Sequence, residues 1–230
     1  MRTITDVIEA TDALLTRHNE GAWDKPFDPL KGGFSSFNDA GIECETGEFL
    51  YSLIRLLKPQ NVLETGTHIG VGMVYLGLGL KDNRKGLLDT IEFLPELYNH
   101  ALERRDRLDL KEFVNCYFGD AAYFLPKQNY QLILLDTEPQ TRFAEMVRYD
   151  GYLDTGGFLF IHDLNRHMGQ VGQNPDHPDE KFWPWGEIPE AMKALVTSGK
   201  YRPMHFDTPR GLTGFYKVKA DDYIWEGGEK

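Results

Sequence analysis

The chain has 230 residues, 41% of them hydrophobic and 13% aromatic, and a formal net charge of -11. That length and apolar content suit one globular domain with a sizeable core and exclude a disordered chain. The acidic balance speaks against a nucleic-acid partner, which needs a basic face to neutralise phosphates.

The two cysteines, Cys44 and Cys116, make no C-x-x-C pair, so neither a zinc ribbon nor a thioredoxin-type site is indicated. Cys44 lies between Glu43 and Glu45, neighbours that disfavour a thiolate. MRTITDVIEATDALL holds no leader-like apolar run, and the apolar stretch VYLGLGL is stopped by Lys81. The expected setting is the cytoplasm, with no membrane partner.

In chain order, Ile4, Val7, Ile8 and Leu14–Leu15 make a stripe that predicts a helix over 3–18. Residues 21–45, rich in Gly, Pro, Asp and Ser, read as a loop or flap, so 1–45 stands as an N-terminal helix and flap. A helix capped by Thr46 runs through TGEFLYSLIRLL and stops before Pro59. Strands are then expected at 61–64, 87–92, 113–118, 131–136 and 157–162, alternating with helices at 70–80, 95–108, 121–125 and 140–153. The polar stretch 165–186 reads as a lid-like insertion. Its Phe182, Trp183 and Trp185 either wall an acceptor pocket or pack the loop onto the domain. A helix at 188–198 follows, then RPMHF and LTGFYKVK as two strands joined by a turn that carries Arg210. Arg210 would meet an anionic substrate if that turn reaches the cleft mouth, but an ordinary turn charge is its expected role. The main domain is placed at 46–220 and a tail at 221–230.

Apolar runs such as LILLD and FLFIH suit strands covered on both faces, and intervening helices imply right-handed crossovers. The closely joined last pair must be antiparallel. The expected fold class is α/β, a seven-stranded, mostly parallel sheet with one antiparallel strand in the C-terminal hairpin. Ligands of such sheets bind beyond the carboxyl ends of the strands. Those ends carry Glu64, Glu92, Asp120, Asp136 and His162–Asp163.

The corner VLETGTHIGVG has the spacing G-x-x-x-G-x-G, not G-x-G-x-x-G, and no G-K-[ST] follows. Glu64, two residues before Gly66, is unfavourable beside a pyrophosphate and favourable beside a cationic amine. Glu92 suits the two hydroxyls of a ribose, and Asp120 an adenine amino group. S-adenosylmethionine has that ribose, adenine and positive charge and no phosphate.

VLETGTHIG, LDTIEF, FGDAAYFL, YQLILLDTEP and GGFLFIHD, in this order over roughly 46–163, resemble the class I S-adenosylmethionine-dependent methyltransferases. The lead-in helix ETGEFLYSLIRLLKPQNVLETGT is similar to the small-molecule O-methyltransferase branch, catechol-type and sugar-type enzymes. The resemblance implies a Rossmann-like three-layer sandwich and a hydroxyl on a sugar or secondary metabolite as acceptor. It implies that Gly66, Thr67 and Gly70 line the methionine part and that Glu92 holds the ribose. Asp120 and Ala121 would lie near the adenine, Glu64 would orient the amino-acid end or else only cap the next helix, and Asp136 is a further cofactor-binding candidate.

In metal-dependent members of the branch, Mg²⁺ is held by acids after the fourth and fifth strands and a neighbouring amide. Asp136 and Asp163 match the acids. Leu164 stands where the amide is expected, and Asn165 follows it. The lysine common after the fourth-strand acid is missing from DTEPQ. Asp136, Asp163 and Asn165 are therefore the candidate metal set, with Glu138 as a substitute. Asp136, His162 and Asp163 are the candidate catalytic set, with His162 as a general base in a metal-independent alternative. A protein that binds the cofactor without turnover is a further alternative. Either flap could instead serve a homodimer contact.

Overall fold

The computed structural model describes residues 3–20, 34–37, 41–164, 190–206, 208 and 210–219. The lid-like insertion, with Asn165, His167, His177 and its aromatic residues, lies outside them, as does most of the flap.

The first helix is shorter than its apolar stripe predicts. α1 spans Ile4–Thr11, closed at its start by a capping box in which Thr3 and Asp6 exchange bonds. Part of the expected loop is structured: β1 (His18–Glu20) pairs antiparallel with β2 (Phe34–Ser36). Neither strand has the alternating pattern that would announce it. α2 starts at Cys44, two residues before the expected Thr46 cap, and runs to Leu57. Lys58 then turns left-handed ahead of Pro59.

The central elements follow the expected rhythm. They are β3 (Asn61–Thr65), α3 (Val71–Asn83), β4 (Leu87–Glu92), α4 (Pro95–Arg107) and β5 (Val114–Phe118), then β6 (Tyr130–Leu135) and α5 (Pro139–Tyr149). β7 (Leu153–His162), α6 (Glu190–Thr197), β8 (Tyr201–Phe206) and β9 (Leu212–Lys217) complete the chain. The helix expected at 121–125 is a single turn instead. The amides of Tyr123 and Phe124 both reach the carbonyl of Asp120, and Pro126 prevents continuation.

The large sheet has the order β5-β4-β3-β6-β7-β9-β8. β9 is antiparallel to both its neighbours, and the remaining pairings are parallel. Successive residues of a strand face opposite sides, and the core divides accordingly. Val62, Leu132 and Leu134 join one cluster with α2 and α3, while Leu63, Ile133 and Leu135 join another with α5. The result is the expected three-layer sandwich.

Residues 71–80 of α3 are all buried, so this helix has no polar face. It packs on α2 at near-backbone distance. A Cβ on Gly47 would stand 2.3 Å from the Tyr75 ring, and one on Gly79 2.7 Å from Ile54. The chain leaves β3 for β4 and β5 on one side and returns to β6 on the other. The crevice between β3 and β6 is therefore the switch point where α/β sheets bind ligands.

Candidate functional site

The turn after β3 sits in that crevice. Gly66 has φ +78, and a Cβ there would come within 2.3 Å of the Asp136 carbonyl oxygen. Only glycine lets the two strand ends approach so closely. The amides of Gly66 and Thr67 donate to the Ile91 carbonyl, and Gly70 starts α3 from a left-handed conformation. Glu64, Gly66, Thr67, Gly70, Glu92 and Asp136 thus share one sheet edge. The Gly119 amide donates to the Glu92 carbonyl and brings Asp120 and Ala121 alongside.

The side chains on this edge are engaged with one another. Thr90 donates to Glu64 Oε2 at 2.5 Å, and the Thr67 and Thr90 hydroxyls are 2.5 Å apart. The Thr67 side chain therefore turns into the sheet. Glu92 accepts from the His68 amide at 2.7 Å and the Leu94 amide at 2.9 Å, one on each oxygen. Asp120 is exposed and accepts from the Ala122 amide at 2.8 Å. Glu64 is 1% exposed, and burial pushes its carboxyl up to about 8 against the opposing hydrogen bond from Thr90. A Cβ on Gly72 would stand 2.3 Å from Glu64 Oε1, so α3 presses directly on this carboxyl.

His68, in the same turn, takes a left-handed φ of 52. Its Nδ1 is buried without a hydrogen-bond partner among the described residues, and burial lowers its pKa. The motif THIG announces the turn, but not that this ring faces inward.

Beyond β6 and β7 the acids meet cations. His162 is 1% exposed and lies between two carboxylates: Nδ1 is 2.8 Å from Asp136 and Nε2 is 3.0 Å from Glu43. Burial alone would lower its pKa. The charges of Asp136, Asp163 and Glu43 outweigh burial and push it up to about 10. His162 is thus a cation near neutral pH, and both ring nitrogens are engaged. That leaves no lone pair for the general-base role expected of it.

Asp163 has already left the strand at φ 56 and turns back to the same cluster. Arg142 reaches Asp136 at 3.2 Å and Asp163 at 3.0 Å. Arg210 reaches Asp163 at 2.9 Å and Glu43 at 3.2 Å, and donates to the Gly41 carbonyl at 2.8 Å. Burial opposes ionisation of Asp163, but His162, Arg142 and Arg210 hold its pKa well below the carboxylate range. Arg210 is therefore no ordinary turn charge. Glu43 was not foreseen, nor was Arg142, which stands six residues after Asp136 on the next helix.

The donor set fits a divalent ion poorly. Glu43, His162 and Asp163 place ligand atoms within 4.8 Å of one another. The imidazole, however, faces carboxylates on both sides, and guanidinium groups lie against Asp136, Asp163 and Glu43. A divalent ion on these acids would stand against the guanidinium charges already there.

No protein-family model matches the chain. A catechol O-methyltransferase from Niastella koreensis is 26% identical over 155 residues, 63% of this chain and 69% of that one. Among solved structures, an O-methyltransferase from Bacillus cereus, in complex with S-adenosylhomocysteine, superposes with TM-score 0.62 at 16% identity, covering 78% of this chain and 84% of that one. An O-methyltransferase from Streptomyces achromogenes, in complex with S-adenosylmethionine, superposes with TM-score 0.60 at 18% identity, covering 79% and 83%. Their sheet-and-helix fold is the one described above. In fold and in the order of its motifs the chain matches the class I S-adenosylmethionine-dependent methyltransferases, and its relatives in sequence are O-methyltransferases.

Proposed function

We propose that the protein transfers the methyl group of S-adenosylmethionine to a hydroxyl of a small molecule, a sugar or a secondary metabolite. The observation that carries this reading is the glycine turn in the β3–β6 crevice, ringed by strand-end acids and lacking any phosphate cradle. Gly66, Thr67 and Gly70 would pass along the methionine part through their backbone. Glu92 uses one lone pair of each oxygen on the turn and keeps others for the ribose hydroxyls. Asp120 and the backbone at Ala121 would meet the adenine. Glu64 and Asp136 would face the cationic end of the cofactor, with His68 Nδ1 as an additional polar contact.

Transfer from a sulfonium is an in-line displacement, so alignment supplies much of the catalysis. The acceptor hydroxyl still needs a group to take its proton. We assign that role to Asp136. Its contacts with His162 and Arg142 both fall on Oδ1, at 2.8 and 3.2 Å. His162 and Asp163 then serve as positioning residues that fix Asp136. The reaction belongs in a reducing compartment such as the cytoplasm; Cys44 and Cys116 are both free thiols. Among the described residues no helix is long and apolar enough to cross a membrane.

The test is calorimetric titration with S-adenosylhomocysteine, followed by a screen of hydroxyl acceptors with labelled S-adenosylmethionine. Micromolar binding and label transfer to a hydroxyl are expected. Absence of binding at millimolar ligand would remove the reading.

A further inference from the structure

The strand-end acids of this fold invite a divalent cation, but here the protein's own cations already stand among them. Three carboxylates converge: Glu43 from the start of α2, Asp136 after β6 and Asp163 after β7. Three basic side chains meet them: Arg142 from α5, Arg210 from the turn before β9, and His162 from the end of β7. Of the six carboxylate oxygens, Asp136 Oδ1, Asp163 Oδ2 and Glu43 Oε2 are hydrogen-bonded to these groups, while Glu43 Oε1 and Asp163 Oδ1, buried without a hydrogen bond, lie at ion-pair distance from Arg210 Nε. Arg142 Nη1 reaches Asp163 Oδ2 at 3.0 Å, and Arg210 Nη2 reaches the same oxygen at 3.0 Å. Arg210 Nε lies 2.9 Å from Asp163 Oδ1 and 3.2 Å from Glu43 Oε1.

The guanidinium donors are also tied to backbone. Arg142 donates to the carbonyls of Thr137 and His162, and Arg210 to that of Gly41. Swinging either side chain aside breaks these bonds. His162 places one ring nitrogen 2.8 Å from Asp136 and the other 3.0 Å from Glu43. A magnesium ion demands about six oxygen ligands at roughly 2.0–2.1 Å. Placed on these acids, it would stand against the guanidinium groups of Arg142 and Arg210, which already hold Asp136, Asp163 and Glu43.

We propose that Arg142 and Arg210 take the place of the divalent cation, so that the Asp136–Asp163 site binds no metal ion. The cluster instead knits the entry to α2, the ends of β6 and β7 and the turn before β9 into one floor for the acceptor. The proposal rests on the methyltransferase reading only for what that floor serves; the exclusion of metal stands on the cluster itself.

Mn²⁺ is the probe, because its free form is read directly by electron paramagnetic resonance. The wild-type protein, titrated with Mn²⁺ up to millimolar, is expected to show no uptake that D163N or D136N removes. Uptake that both variants leave unchanged belongs to the acidic surface and agrees with the proposal. Uptake by the wild type that either variant abolishes would overturn it. The double variant R142M/R210M strips two charges from the same acids, and it is expected to gain an Mn²⁺ site that D163N then abolishes. If that double variant, folded by circular dichroism, still takes up no Mn²⁺, the guanidinium groups are not what excludes the ion. Where it does not fold, the wild-type titration decides alone. Parallel titration with S-adenosylhomocysteine, with and without a chelator, keeps the two readings apart: loss of cofactor binding strikes the methyltransferase reading and leaves the metal result intact.

Discussion

At the scale of single residues, Glu64 links the cofactor turn to pH. Its carboxyl is raised from 4.5 to about 8, first by burial and further by the charges of Asp136 and Glu92. A folded-state pKa above the unfolded one means that the native chain holds a proton the unfolded chain gives up. The stability this contributes is complete below pH 4.5 and is lost as pH rises toward about 8. Denaturant unfolding of the ligand-free protein should therefore weaken by on the order of a few kcal/mol across that interval. Glu64→Gln, which cannot ionise, should flatten the slope; an unchanged slope would place the titration elsewhere. A strand-end acid at position 64 was legible in the sequence. Its protonation was not, because that depends on Gly72 letting α3 close over the carboxyl.

At the scale of elements, a buried ion pair joins the N-terminal segment to the cofactor turn. Asp12, just beyond α1, is fully buried and pairs with Arg104 of α4 at 3.0 Å. Arg104 also donates to the carbonyl of Ile69 inside the glycine turn. Asp12→Asn would leave Arg104, 6% exposed, without its charge partner. Breaking a buried pair this way costs about 3–5 kcal/mol. Chemical denaturation should show that loss, and S-adenosylhomocysteine should bind more weakly as the turn loosens. A variant with wild-type stability would mean that the pair is solvated. The elements themselves were largely legible, because short apolar runs and glycine corners mark β3 through β7. The ionic partners were not. His162 and Glu43 are 119 positions apart, and Arg210 and Asp163 are 47 apart, so only the folded sheet brings them together.

At the scale of the whole molecule, the cofactor crevice lies between β3 and β6, strands paired directly in space but separated in the chain by β4 and β5. A ligand seated there binds the folded chain and not the unfolded one. At a hundredfold excess over its Kd, S-adenosylhomocysteine should stabilise the protein by about 2.7 kcal/mol. For a domain of this size that corresponds to a rise in Tm of roughly 5–11 °C. Thermal scans with increasing ligand check it, and a flat Tm would mean that the crevice does not hold the cofactor. The parallel pairing of the central strands and the antiparallel β9 follow from the crossover rule and the short final connection; the strand order does not. The pairing of β1 with β2 follows from neither.

The contact of α2 with α3 through Gly47 and Gly79 has a mechanical consequence. α2 rises from Glu43, at the floor proposed for the acceptor, and α3 rises from Gly70, at the turn proposed for the methyl donor. Two rods pressed together almost backbone to backbone cannot slide without a clash at Tyr75 or Ile54. The spacing between donor and acceptor is then a dimension of the chassis, fixed before either molecule arrives.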